Sequence, residues 1–160
     1  MFYFCPCNFS IALLASRSVL DRVVGLKEHY KLSNFDLAVV PCPIDLLNPK
    51  NDVDNLINLI EDVSSDLGNV KLIVIDTLSR AISGGNENSP DDMGVFVKYV
   101  DKIRNSMDAH MMVVHHAGKD TSKGARGHSL LRAATDTELE VVQALGSHSI
   151  RVRKQRDMDA

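Results

Sequence analysis

The sequence predicts an α/β fold with a mostly parallel sheet, helices on both faces and a C-terminal β-hairpin. Short apolar runs alternate with helical patterns over residues 37–114, which implies parallel strands joined by crossover helices. One of these runs, "KLIVID" at residues 71–76, is continuously apolar, as in a strand covered on both faces. Two further β-like runs, joined around Gly146 and Ser147, predict the hairpin.

The size and composition of the chain fit one globular domain. It has 160 residues, of which 44% are hydrophobic and 24% are charged, unlike a disordered chain. The formal net charge of -3 is nearly neutral, so binding to nucleic acid would need locally clustered charge. Three cysteines without a CxxC pair favour a reducing cytoplasm. No run reaches the roughly 20 apolar residues of a membrane span, and the apolar start lacks the basic residues of a signal peptide.

The first 70 residues are predicted to form short strands and two amphipathic helices. Helices are assigned from apolar residues at three- and four-residue steps, and strands from short apolar runs without that spacing. In order, the predicted elements are a strand at residues 2–5, a helix over about residues 11–30, a strand at residues 37–41, and a helix that begins at Asn51 or Asp52 and ends at Gly68.

After "KLIVID", the strongest signal is the start of a helix near residue 90. Ser89 is a capping residue, Pro90 suits the first helical position, and two acidic residues then favour the positive end of the helix dipole. The run "HMMVVH" at residues 110–115 predicts the next strand. The remaining predicted elements are a short helix near residues 129–134 and strands at residues 137–142 and 148–155.

Polar side chains end two neighbouring strands of the predicted sheet. Asp76 ends "KLIVID", while His115 and His116 end "HMMVVH". In open α/β sheets, ligands bind outside the carboxyl ends of the strands. A carboxylate there can hold Mg²⁺; an aspartate that only caps the following turn is the alternative. The sequence therefore predicts a site at this edge of the sheet.

The two histidines have several possible roles. Imidazole can bind zinc, act as a base or donate a hydrogen bond to a phosphoryl oxygen. Adjacent residues on a strand point to opposite faces, so one ring should face the crevice and the other a buried backbone partner. A purely structural pair remains an alternative. So does a metal-dependent hydrolase that uses both histidines and Asp76.

Two groups of cations predict contacts with phosphate. The loop "AGKDTSKGARGHS" places Lys119, Lys123 and Arg126 among glycines and small hydroxyl residues, which suits a nucleic-acid backbone. Lys154 and Arg156 are two positions apart on the last strand, so they share one face and can clamp a phosphate. A solvated loop and an edge strand protected by charge are the alternatives.

Five segments, in their order and spacing, resemble the RepA-type RecA-like ATPases of plasmids and phages, which are relatives of the hexameric DnaB-class replicative helicases. The segments are "KLIVIDTLSRA", "ENSPDDM", "VVHHAGKD", "GARGHSLLRAATDTELEV" and "KQRD". The resemblance extends over about residues 17–156. It implies a RecA-like P-loop NTPase fold, ATP hydrolysis coupled to movement on single-stranded DNA, and assembly of identical chains into a hexameric ring.

The resemblance also implies roles for individual residues. Asp76 matches the Walker B acid that organises Mg²⁺ beside ATP, and Thr77 adjoins it in the cofactor site. His116, or else His115, matches the sensor of the γ-phosphate. The other matches are cations: Lys119, Lys123 and Arg126 in the loop that touches DNA, Lys154 and Arg156 as groups that reach the ATP of the neighbouring subunit, and Arg132 at the subunit interface.

The chain departs from that family in two places. It contains no G-x-x-x-x-G-K-[ST] loop, and no glutamate follows the first strand, where the family keeps the carboxylate that activates water. We therefore expect the chain alone to hydrolyse ATP poorly or not at all. We assign residues 1–16 to an atypical N-terminal segment and residues 17–160 to a partial ATPase domain. A degenerate module for ring contacts or DNA binding is the alternative.

Overall fold

The computed structural model describes residues 8–14, 18–33, 36–48, 52–116, 129–144 and 146–157. Most of these residues belong to helices or strands. In chain order, the elements are β1 (Asn8–Leu14), α1 (Ser18–Tyr30), β2 (Leu37–Val40), α2 (Asp52–Leu67), β3 (Asn69–Asp76), α3 (Leu78–Ala81), α4 (Pro90–Met107), β4 (His110–Val114), α5 (Ser129–Ala134), β5 (Thr137–Ala144) and β6 (Ser147–Gln155).

Four strands form one parallel sheet in the order β2, β1, β3, β4. The chain passes from β1 to β2 at one edge of the sheet. It then passes from β2 to β3 and from β3 to β4 towards the other edge. Because such crossovers are right-handed, α1 lies on one face while α2 and α4 share the other, where they contact each other. The predicted mixed α/β fold with a parallel sheet is confirmed.

The core lies between the sheet and the pair of helices α2 and α4. Both helices repeat buried residues at three- and four-residue steps, and β3 alternates buried with partly exposed positions, so each element turns an apolar side inward. The largest fully buried side chain among the described residues is that of Phe96. The buried side chains of the three elements are Val53, Leu56, Ile57, Ile60, Val70, Ile73, Ile75, Met93, Phe96 and Ile103.

The opposite face of the sheet is less covered. On α1, Val24, Leu26 and Tyr30 are exposed, and Met112 on β4 is 48% exposed. The sequence predicts burial on both faces for "KLIVID". This is correct only for the face under α2 and α4, because Leu72 and Val74 on the other face are only partly buried. None of the described helices is both long enough and apolar enough to cross a membrane.

The start of α4 follows directly from its sequence. The backbone N–H of Asp92 donates a hydrogen bond to Ser89 Oγ at 3.3 Å, and Pro90 occupies the first helical position. The carboxylate of Asp92 in turn accepts a hydrogen bond from the backbone N–H of Asn86 at 2.8 Å. These contacts confirm the predicted cap and attach the preceding loop to the helix.

The N-terminal region differs from the prediction. Residues 8–14 form β1, which pairs with both β2 and β3, and α1 begins only at Ser18, so the helix predicted from residue 11 was wrong in its first part. Short apolar runs fit a helix or a strand equally well, and pairing on both sides decides for the strand. The strand predicted at residues 2–5 lies outside the described residues. The division after residue 16 stays a prediction, with β1 on its N-terminal side.

The predicted C-terminal hairpin is confirmed as a separate antiparallel sheet of β5 and β6. One of its faces is charged, and there Arg153 Nη2 lies 2.7 Å from the carboxylate of Glu140. The other face is apolar and consists of two cross-strand pairs, each side chain of which is more than half exposed. These pairs are Leu139 with Val152 and Val141 with Ile150.

Candidate functional site

The carboxyl ends of β3 and β4 lie side by side. Asp76 is paired in register with Val114, so His115 and His116 follow immediately beside Asp76. Neighbouring strands in a sheet are about 4.8 Å apart. The structure therefore brings together the carboxylate and the imidazoles that the sequence singles out, while their roles stay predictions.

Asp76 and Thr77 line a cavity of about 230 Å³ at this edge of the sheet. Thr77 is buried, and its Oγ1 lies 3.2 Å from Ser79 Oγ, whereas Asp76 is half-buried. The loop after β2 forms the opposite wall. The backbone N–H of Leu46 in that loop donates a hydrogen bond to the carbonyl of Ala81 at 2.7 Å, which joins the two walls.

The residues at this edge fit Mg²⁺ better than they fit a whole nucleotide. Proteins commonly bind Mg²⁺ through one or two carboxylates together with substrate phosphates, and Asp76 can supply such a carboxylate. Pockets for small-molecule ligands span about 300–1,000 Å³, so the cavity of about 230 Å³ is smaller than a nucleotide needs. The sequence also lacks the glycine-rich loop whose backbone N–H groups would hold the phosphates. The phosphate chain of ATP therefore has no cradle among these residues.

The loop of residues 82–89 carries Glu87 to the end of β4. A Cβ atom at Gly85 would lie 2.2 Å from Leu47 Cδ1, so this loop lies next to the loop after β2, and a larger residue at position 85 would displace the Leu47 side chain. The next residue, Asn86, is held by Asp92 through its backbone N–H. Glu87 follows, and its Oε2 lies 3.5 Å from Nε2 of His115.

The two histidines have different surroundings. The side chain of His115 is only 10% exposed, whereas His116 is exposed. Asp76 and Val114 are paired, and the alternation of β4, continued beyond its last residue Val114, assigns His116 to the face of Asp76 and His115 to the opposite face. This agrees with the predicted difference in burial. The polar group beside the buried ring is the carboxylate of Glu87, and no backbone group of the described residues forms a hydrogen bond with the ring. Sequence reasoning missed Glu87, which is a polar residue in a polar loop.

Lys154 and Arg156 contact the C-terminal end of α5. The Nζ of Lys154 donates hydrogen bonds to the carbonyls of Arg132 and Thr135, both at 2.6 Å. Arg156 forms an ion pair with Asp136 at 2.6 Å. Cations at the end of a helix satisfy its last carbonyls and interact favourably with its dipole. Both side chains thus bind groups of their own chain, and their contact with the ATP of a neighbouring subunit stays a prediction.

The remaining predicted site residues are Arg132 and three loop cations. Arg132 Nε lies 3.0 Å from Glu138 Oε2, as an ion pair and not as an aligned hydrogen bond. Lys119, Lys123 and Arg126 lie outside the described residues. Within the part of the chain that the structure describes, no three side chains of His, Cys, Asp or Glu lie close enough together to hold a metal ion. The metal-dependent hydrolase gains no support there.

The parallel sheet with polar strand ends defines the class of α/β domains that bind ligands at the carboxyl edge of the sheet. A family model described as an AAA domain matches residues 20–122. The match covers more than half of the chain and includes β3, β4 and both polar strand ends; the chain belongs to this AAA domain family. Membership implies nucleotide binding and an ATPase-type function in general. No curated protein matches the sequence.

Proposed function

We propose that this chain is part of an ATP-dependent DNA helicase of the RecA-like type, which couples ATP hydrolysis to movement on single-stranded DNA in plasmid or phage replication. The observation that carries the proposal is the register of β3 and β4, which sets Asp76 beside the two histidines. Membership of the AAA domain family supports the ATPase part of the proposal. The helicase part is supported by the five segments that resemble the RepA-type ATPases.

In the proposed site, the residues of this chain hold the metal and sense the phosphate. Asp76 supplies the carboxylate for Mg²⁺, which neutralises phosphate charge when it is bound. His116 is exposed on the face of Asp76 and donates a hydrogen bond to a phosphoryl oxygen. Thr77 is buried next to Asp76 and lines the same cavity, where it belongs to the proposed cofactor site. Because the chain has no phosphate-cradling loop of its own, we expect little ATP hydrolysis by the chain alone.

The proposed contact with DNA uses the segment that follows His116. Lys119, Lys123 and Arg126 lie within ten residues of this histidine in the sequence, so a sensor of phosphate and a binder of DNA share one stretch of chain. Single-stranded DNA is bound chiefly through its phosphates and with little demand for one fixed geometry. In the proposed assembly, identical chains form a ring, hexameric in the resembling family, and present these loops to a central channel.

A second candidate is a non-catalytic module that keeps ring contacts and DNA binding but has lost ATP hydrolysis. Two observations favour it. The cavity beside Asp76 has a volume of only about 230 Å³, and the sequence has no phosphate-cradling loop. The two candidates differ in whether Mg²⁺ strengthens nucleotide binding by the chain.

Replacing Asp76 by asparagine is expected to remove the Mg²⁺-dependent part of nucleotide binding, because the amide has nearly the same size but no charge. We expect the gain in affinity that Mg²⁺ provides to fall about tenfold, equivalent to about 1.4 kcal/mol. Fluorescence anisotropy of a labelled ATP analogue, with and without Mg²⁺, measures this gain. Asp62→Asn removes the same charge from an exposed position on α2 and is the control. An unmodified chain without any Mg²⁺-dependent binding would favour the non-catalytic module.

Neutralising Lys123 and Arg126 together is expected to weaken binding of single-stranded DNA and to reduce its dependence on salt. Each phosphate contact on a single strand contributes about 0.7 to the slope of log K against log salt, so the slope should fall by about 1.4. Titrations of a labelled oligothymidylate at several salt concentrations measure this slope. The control is Arg22→Gln with Lys27→Gln on α1, which removes the same charge. An unchanged slope in the loop variant would contradict the DNA contact.

A further inference from the structure

The pair of Glu87 and His115 has no role in the proposed function. Both side chains are mostly buried, with 20% and 10% of their surfaces exposed. Neither ring nitrogen of His115 has a hydrogen-bond partner among the described residues. Burial of polar atoms without partners is costly, and most such atoms in folded proteins are paired. A hydrogen-bond partner for a ring nitrogen of His115 would therefore lower the cost of burying the ring.

The carboxylate of Glu87 is placed to be that partner. Its Oε2 lies 3.5 Å from Nε2 of His115, and a charge-assisted hydrogen bond is about 2.7–2.9 Å long. The two atoms are therefore about 0.6–0.8 Å farther apart than in such a bond. No other acidic side chain of the described residues forms an ion pair with His115.

The backbone around Glu87 is held on both sides, so the carboxylate has a defined position. The backbone N–H of Asn86 donates to Asp92 at 2.8 Å, and the backbone N–H of Asn88 donates to Oδ1 of Asn86 at 3.0 Å. Gly85 in the same loop lies close to the side chain of Leu47, the residue after Leu46, which lines the cavity beside Asp76. Glu87 therefore lies in a loop that is attached to the start of α4 and reaches the end of β4.

We propose that Glu87 is a positioning residue for the phosphate-sensing end of β4 and acts through His115. Its carboxylate accepts a hydrogen bond from Nε2–H of His115, which fixes the tautomer and the orientation of this ring. His115 directly precedes His116, so a fixed ring holds the backbone from which the sensor and the following segment extend. The proposal rests on the proposed function, because His116 senses phosphate only within it.

The tautomer of His115 tests this proposal. Long-range ¹H–¹⁵N spectra of the full chain, labelled with ¹⁵N and recorded at mildly alkaline pH where an ordinary histidine is neutral, show which ring nitrogen carries the proton. The signals of His115 are identified by their loss in His115→Gln. We expect a single Nε2–H tautomer in the unmodified chain. Glu87→Ala should convert it to a mixture of tautomers and shift the backbone amide signal of His116.

Conservative substitutions of Glu87 show whether the hydrogen bond to His115, or only the size of the side chain, sets the tautomer. Glu87→Gln keeps a side-chain oxygen that accepts a hydrogen bond, so we expect it to retain the Nε2–H tautomer. Glu87→Asp shortens the side chain by one methylene, so we expect a mixture of tautomers at His115. Glu61→Ala and Glu61→Gln on α2 remove or alter an exposed carboxylate as controls, and neither should change the spectrum of His115.

Two results would overturn the proposal: a mixture of tautomers at His115 in the unmodified chain, or a spectrum of His115 that Glu87→Ala and Glu87→Asp both leave unchanged. If Glu87→Ala does not fold, the comparison of Glu87→Gln with Glu87→Asp decides. None of these spectra needs a bound nucleotide. If Asp76→Asn does not change nucleotide binding, the spectra of His115 still test the role of Glu87. If the Glu87 variants do not change the spectra, the proposed nucleotide site is not affected.

Discussion

Replacing Phe96 by alanine is expected to lower the free energy of unfolding by about 3–5 kcal/mol. The ring is 1% exposed and belongs to the core formed by α2, α4 and the sheet. Its removal deletes apolar contacts and leaves a cavity that a close-packed core fills only in part. Domains of this size are stabilised by about 5–15 kcal/mol in total, so the loss is a large share of the stability. Urea unfolding followed by circular dichroism measures it.

The matched control for Phe96→Ala is Leu59→Ala, another change from a large apolar residue to alanine. Leu59 lies on α2 and is 39% exposed, so less apolar surface returns to water and little cavity forms. We expect a loss of about 1 kcal/mol or less. A loss for Phe96→Ala no larger than that for Leu59→Ala, with equal denaturant slopes, would contradict the packing of α4 against the core.

Replacing Lys154 by methionine is expected to lower the free energy of unfolding by about 1–3 kcal/mol. Its ammonium group donates to the carbonyls of Arg132 and Thr135, both at 2.6 Å, and methionine keeps an apolar stem of similar length without any donor. The carbonyl of Thr135 then loses this donor, while the carbonyl of Arg132 still accepts a hydrogen bond from the Thr135 hydroxyl at 3.1 Å. Thermal and urea unfolding measure the loss.

The control for Lys154→Met is Arg151→Met on the same strand. Arg151 is exposed, and a substitution at such a position usually changes stability by no more than about 0.5 kcal/mol. Equal losses in the two variants would contradict the capping role of Lys154. Unchanged stability of Lys154→Met, together with reduced ATP hydrolysis in an assembled oligomer, would instead support its predicted contact with a neighbouring nucleotide.

Local signals made the centre of the fold predictable. The start of α4 could be placed because Ser89 and Pro90 fix a helix start through neighbouring residues alone. The strand β1 could not be predicted, because its apolar run is too short to distinguish a strand from a helix. Its conformation depends on pairing with β2 and with β3. The single turn of α3 was also missed, since the burial of Leu78 and Ala81 supports it and four residues show no periodicity.

The candidate site was predictable where strand topology alone decides the position. Asp76 and the two histidines end apolar runs, and parallel strands bring their carboxyl ends to one edge. Glu87 was not predictable, because its approach to His115 depends on the path of the loop of residues 82–89, which the hydrogen bond from Asn86 to Asp92 helps to fix. The contacts of Lys154 were missed for a similar reason. Residue spacing predicts which face of the strand it occupies, but not that the end of α5 lies opposite.

Because Asp76 is paired with Val114, the entropic cost of bringing the two polar strand ends together belongs to folding. Hydrogen-bonded strands cannot slide past one another, so the two polar strand ends are brought together during folding and not during ligand binding. A core substitution such as Phe96→Ala should then reduce apparent affinity only through the fraction of chains that are folded. The folded molecules keep their intrinsic affinity, because the separation of the two strand ends is already set.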